Sequence, residues 1–312
     1  VSNTSGTPNT AVGYQAADAN TTGSNNTAVG YVALGANTTG NNNTAVGHVA
    51  GGALTTGYQS TLIGSSAGDA ITTGLENTAV GYSALGTETT GRYNTAVGSN
   101  ALGNQNFTGS TNVYNTAVGY QSGFSTTTGA SNTFLGGLAG RTNTTGGSNV
   151  AIGHQALYAN TTASNNVAVG KDALTANTTG TDNTSVGFQS LDANTTGLAN
   201  VAVGKSALGS NTTGQENVAV GSLAAPALTT ARNSTFVGYL SGRHATTTSY
   251  TTAIGSLALN GASGSTTADN NTAVGYKRFM RPLQVQEIQR LAIKQNCYYY
   301  RRRKYASWSR RW

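Results

Sequence analysis

Catalysis and metal binding need side chains held within a few ångströms of one another, and this sequence commits few residues to either. Three His, ten Asp or Glu and one Cys are spread over 312 residues. His48 and His154 fall at the same position of a repeat but six repeats apart, and His244 lies at a different position of its own repeat. Within one chain they cannot share a metal ion. The acids Asp18, Asp69, Glu76, Asp172, Asp182 and Asp192 are scattered through polar turns and read as solubilising groups. No Ser/His/Asp set, phosphate-binding loop or Cys/His cluster is present. The expectation is a non-enzyme with no catalytic residue, no cofactor and no metal.

Binding chemistry is better represented. Tyr14, Tyr31, Tyr82, Tyr120, Phe188 and Tyr239 each follow a repeated glycine. A row of half-exposed, stiff, amphipathic rings suits carbohydrate or protein contact, while the plainer reading is packing along a coil edge. Phe107 joins the candidates because it sits in a lengthened repeat, residues 103–114, which carries four extra residues; residues 260–270 carry three. Insertions of this kind are expected to bulge outward as loops. A second candidate surface is the C-terminal segment with Arg301, Arg302, Arg303, Lys304, Trp308, Arg310, Arg311 and Trp312. Cations beside aromatics there suit attachment or a polyanion.

What must position these residues is a period of 17. Asn-Thr-Ala-Val-Gly blocks begin at Asn9, Asn26 and Asn43 and recur to Asn271, each ending in one of sixteen register glycines from Gly13 to Gly275. A fixed short period is the mark of a solenoid, whose units bury surface only by stacking on their neighbours. The boundaries follow: a lead-in at 1–8, the repeat region at 9–276 and a distinct segment at 277–312. In the second repeat, Asn26–Gly30 reads as a strand, Ala33–Ala36 as another, and Asn37-Thr38-Thr39-Gly40 as a turn. Val29 and Leu34 are expected inside the coil, leaving an outer Ala/Gly face through which copies of this thinly cored rod would associate. Stacked Asn9, Asn26 and Asn43 are expected to hydrogen-bond from coil to coil. Asn20, Asn37, Asn143, Asn160, Asn177, Asn194 and Asn211 formally open glycosylation sequences, but turn and ladder chemistry needs the same residues.

Charge divides the chain as sharply as the period does. The net +7 is the sum of −3 over residues 1–276 and +10 over residues 277–312, where Glu287 is the one acid. Nucleic acid could therefore engage only the C-terminal segment. Pro282 with Val285, Ile288 and Ala292 reads as the start of a helix that would cap a bundle of rods. One cysteine, Cys297, allows no disulfide within the chain. No apolar run reaches the roughly 18 residues of a membrane-spanning helix.

The blocks Asn149-Val150-Ala151-Ile152-Gly153, Asn200-Val201-Ala202-Val203-Gly204 and Asn271-Thr272-Ala273-Val274-Gly275 resemble the head repeats of trimeric autotransporter adhesins, and related repeats of phage tail fibres, over residues 9–276. The resemblance implies an all-β, left-handed parallel β-roll with three chains about a threefold axis. It also implies an extracellular cell-surface or virion fibre that touches a host glycan, surface protein or matrix. The family's head repeat is shorter, near fourteen residues, and its neck, stalk and membrane-anchor barrel have no counterpart here. A threefold axis could gather three His48 side chains, though a metal there is not favoured. A self-assembling filament without a specific ligand is the alternative, and an ice-binding solenoid, suggested by the Thr-Thr rows, is third.

Overall fold

The computed structural model describes residues 2–260 and 269–277. The chain forms one sixteen-stranded parallel sheet, each strand pairing with the next in sequence. Strand β1 is Thr10–Val12, β2 is Thr27–Val29, and the series runs through β8 (Thr133–Leu135), β10 (Val167–Val169), β12 (Val201–Val203) and β14 (Thr235–Val237) to β16 (Thr272–Val274). The register is that of the repeat: Ala11 lies opposite Ala28, and Ala28 opposite Ala45. At a strand spacing of about 4.8 Å the sixteen rungs make a rod roughly 75 Å long. The solenoid expected from the period is thus present, and no described residue is helical.

Two details differ from the expectation. The first is which strand face points inward. Ala28 is fully buried, whereas Thr27 and Val29 are partly exposed, and the same pattern recurs along the sheet. The outward face is therefore Thr/Val and the inward residue is Ala, the reverse of the placement expected for Val29. The interior is narrow: Leu34, Ala33, Asn26 and Asn37 already fill it, all buried. Only a methyl group fits between them from the strand wall, so the larger aliphatics are left outside.

The second is the strand expected at 33–36, which is instead a turn. Val32 and Leu34 both take left-handed backbone, with φ of 54° and 50°. Such a conformation costs an L-residue roughly 1–2 kcal/mol. Coil-to-coil bonds offset that cost: Val32 N–H donates to Tyr14 O at 2.9 Å and Leu34 N–H to Ala50 O at 3.0 Å. The strand itself stops at Gly30, where φ is +137° and an added Cβ would collide with Gly47 O of the next coil. That contact explains a glycine at this place in every coil.

Two asparagine files stitch the coils. Asn26 Nδ2 donates to Gly40 O at 2.8 Å, closing its own coil from strand to turn, and Asn26 Oδ1 accepts Asn43 N–H at 3.0 Å from the next coil. The second file bonds amide to amide: Asn37 Nδ2 to Asn20 Oδ1 at 2.9 Å, and Asn194 Nδ2 to Asn177 Oδ1 at 2.9 Å. Its members Asn20, Asn37, Asn143, Asn160, Asn177, Asn194 and Asn211 are all buried. In this fold the Asn-Thr-Thr sequences are ladder rungs and cannot present their amides to a glycosylating enzyme. The first Thr of each pair is likewise committed, as Thr38 Oγ1 donates to Thr55 O at 3.2 Å.

Candidate contact surface

Two surface features run the length of the rod. The first is the outer strand face. Its second outward position is aliphatic in all sixteen strands, Val in most, with Ile63, Leu135, Ile152 and Ile254. The first outward position is Thr or Val throughout. On the single chain this position is at least partly exposed throughout, at 36% for Val46 and 41% for Ile254 and more at the two ends, 58% for Val12 and 61% for Val274. Three residues wide and sixteen strands long, this strip covers on the order of 750 Å².

The second feature is the file one residue beyond the register glycines. Gly30 turns the chain out of the sheet, so the next side chain stands at the sheet edge. Tyr14, Tyr31, Tyr82, Tyr120, Phe188 and Tyr239 are exposed there, as the sequence suggested. The file differs along its length. At the N-terminal end Tyr14, Tyr31 and His48 form a continuous stack, with centroids 5.4 and 5.1 Å apart and ring planes within 12° and 8°. Further on, Phe188 lies between two cations, Lys171 Nζ at 5.6 Å and Lys205 Nζ at 6.0 Å from its centroid. Lys171 also pairs with Asp172 at 3.4 Å.

Phe107 is a correction. It is 8% exposed and packs inward, so the 103–114 insertion does not present it to a partner. The anchor is Glu88, fully buried where other coils carry the second-file Asn. Glu88 Oε1 accepts N–H bonds from Thr89, Thr90 and Gly91 at 2.9, 3.0 and 2.7 Å, and a longer one from Phe107 at 3.3 Å. Gln105 Nε2 donates to Oε2 at 2.9 Å, and Gln105 Oε1 accepts Asn115 Nδ2 at 2.7 Å. The insertion is thus tied down at its start through Gln105 and Phe107, and residues 108–112 are its longest exposed run.

Two aromatic groupings escaped the sequence reading. Tyr93 and Tyr114 stack at 5.1 Å on the opposite side of the sheet, just before their strand asparagines. They are 21 residues apart because the insertion lies between them, and a search at period 17 passes over the pair. Arg141 lies over Phe124 and Tyr158, 5.9 and 5.8 Å from their centroids, and donates to Tyr158 Oη at 3.2 Å. Counting 17 residues either way from Arg141 reaches both rings.

Among the described residues no three of His, Cys, Asp and Glu gather as a metal site. Asp69 and Asp192 share one turn position, and burial pushes both carboxyls above the ordinary range, partly offset by nearby N–H donors. Arg301, Arg302, Arg303, Lys304, Trp308, Arg310, Arg311 and Trp312 lie outside the described residues, as does the helix expected from Pro282. No helix among the described residues is long and apolar enough to cross a membrane. No protein-family model matches the chain, and no curated protein is significantly similar to it.

Proposed function

We propose that the chain forms the rod of an extracellular homotrimeric fibre, on a cell surface or a virion, that contacts a host surface or matrix. The observation that carries this reading is the outer strand face, which places one aliphatic side chain beside a Thr or Val in every coil and leaves it at least partly exposed on the single chain. Packing three such strips about an axis parallel to the rod buries the aliphatic file and leaves the sheet edges outside. The aromatic file on one edge then faces solvent along the fibre and is the surface offered to a partner. The self-association expected from a thin core is retained, with the Thr/Val face replacing the Ala/Gly face.

Light scattering on the full chain tests the oligomer. The expected mass is three times that of the chain, falling to the single-chain mass in the double variant Val169→Asp and Val203→Asp, which places charge in the strip. A wild-type monomer would overturn the trimer. Thermal hysteresis in such a monomer would assign the same regular Thr/Val face to ice, and large concentration-dependent masses would assign the chain to a filament.

A further inference from the structure

We propose that the gaps in the aromatic file are sugar-binding slots, each sandwiching one terminal pyranose of gluco configuration between two rings. This rests on the contact-surface part of the reading above and not on its oligomeric part. The Tyr14–Tyr31–His48 stack shows how rings sit at this position: one per coil, planes nearly parallel, faces turned along the rod. Beyond His48 the file alternates. His48 and Tyr82 flank Ser65, Tyr82 and Tyr120 flank Ser99, Tyr120 and His154 flank Gly137, and Tyr239 flanks Ser256 with Tyr276, whose ring carries Lys277 Nζ at 5.4 Å from its centroid. Each intervening small residue leaves out one rung of the stack. The rings on either side are two strand spacings apart, about 9.6 Å, which admits one more six-membered ring.

The space is open in the structure. A Cβ added at Gly137 would meet only His154 Cδ2, at 3.8 Å. Tyr82 and Tyr120 are 60% and 57% exposed, against 49% for Tyr31 inside the closed stack. In the coils that follow, equivalent gaps are filled: Lys171 and Lys205 lie to either side of Phe188 as cation–π partners. The same geometry therefore occurs closed by rings, closed by lysines and open.

What fits an open slot follows from its walls and floor. With rings set as in the Tyr14–Tyr31–His48 stack, both walls are aromatic faces, and the occupant must present C–H groups on both of its own faces. A β-gluco pyranose does, because all its hydroxyls are equatorial and its axial hydrogens point up and down. An axial hydroxyl, as in a galactoside or mannoside, would be pressed against a ring without a hydrogen-bond partner. Equatorial hydroxyls leave the slot sideways, where amides stand beside it. Asn100 Nδ2 reaches the floor, donating to Ser99 Oγ at 3.2 Å. Gln121 follows Tyr120, its Oε1 held by Arg141 Nε at 2.9 Å, which leaves its amide nitrogen to donate. These polar neighbours favour a sugar over an aromatic side chain of a protein.

The test is a titration of the full chain with methyl β-D-glucopyranoside and methyl β-D-galactopyranoside, followed by saturation-transfer NMR. The glucoside is expected to bind saturably and the galactoside at least about tenfold more weakly. Ser65→Tyr, Ser99→Tyr and Gly137→Tyr together extend the existing stack through three of the four slots and should abolish most of the binding. Its circular dichroism and native mass should stay those of the parent. Tyr120→Ala should remove about half of the binding sites, since it walls two of the four slots, and Tyr31→Ala should change binding little. Absence of saturable glucoside binding, equal affinity for the galactoside, or full binding by the plugged variant overturns the inference. A trimer that binds no pyranoside defeats the slots alone, whereas a monomer that binds the glucoside defeats the fibre and keeps them.

Discussion

In the coils of β10 and β12 the interior is filled by a strand alanine and a turn leucine, Ala168 with Leu174 and Ala202 with Leu208, all fully buried. The coils of β8 and β14 reverse the arrangement: Phe134 and Phe236 project from the strand, and Gly140 and Gly242 stand where leucine would. Leu62 is matched in the same way by Gly68, and the preceding coils contribute Gly51 beside Leu62 and Gly123 beside Phe134. The comparison shows that the coil conserves a volume and does not care which wall supplies it. Close packing requires this, because a void or an overlap of even a methylene is felt in a core this narrow.

Breaking that balance gives the largest effect we expect. Phe134→Ala removes a fully buried ring and should cost about 3–5 kcal/mol. Gly140→Leu should be at least as damaging, since its side chain starts inside the Phe134 ring, 2.8 Å from Cζ even at Cβ. Together the two substitutions rebuild the Ala/Leu pair of this coil and should recover part of the loss, the remainder reflecting left-handed backbone at residue 140 and the space left beside Gly123 of the preceding coil. Urea midpoints of the four proteins close the cycle. Costs that simply add would show that the two walls are not exchanging volume.

The regular coil was largely legible in the sequence, and its exceptions were not. Period, the strand after each first-file Asn and the inward leucine follow from the spacing of Asn, Gly and Leu. Size alone would send valine inward, but here the turn leucine occupies the space first and valine points outward. Left-handed backbone at Val32 and Leu34 leaves no mark in residue type, as both would sit comfortably in a strand. The Phe134/Gly140 exchange is written in the sequence, but only a side-by-side alignment of repeats at 17 residues reveals it. The exposed tyrosines followed from their place after a chain-reversing glycine. Phe107 was misplaced for want of Glu88, whose role depends on backbone N–H groups that no sequence pattern displays.

Glu88 sharpens the comparison from the polar side of the core. Where regular coils use the second-file Asn to bond a turn carbonyl, as Asn177 Nδ2 does with Gly180 O at 2.9 Å, Glu88 receives turn N–H groups instead. Glu88→Ala would strand the Gly91 N–H and the Gln105 amide in a buried site, at about 2–4 kcal/mol. The loss should be local: hydrogen exchange should accelerate over residues 88–115 and remain unchanged at β10 to β12. Uniform acceleration along the rod would mean that the insertion is part of the cooperative unit, contrary to the nearest-neighbour behaviour expected of a solenoid.

The smallest effect concerns Asp192, a partly buried carboxyl beside the regular coils. Burial raises its pKa above the ordinary 3.8, and Asp172 adds a smaller push in the same direction, while its own and the Ala193 N–H groups pull it back. The folded chain therefore holds this proton to higher pH than the unfolded chain does. Between 3.8 and the raised folded value the unfolded state binds fewer protons, so stability falls as pH rises through that window and is level above it. Asp192→Asn removes the charge and should raise the melting temperature slightly at neutral pH. Below 3.8, where aspartate is protonated in both states, the advantage should vanish. An advantage that persists in acid would mean that amide hydrogen bonding, and not relief of a desolvated charge, stabilises this turn.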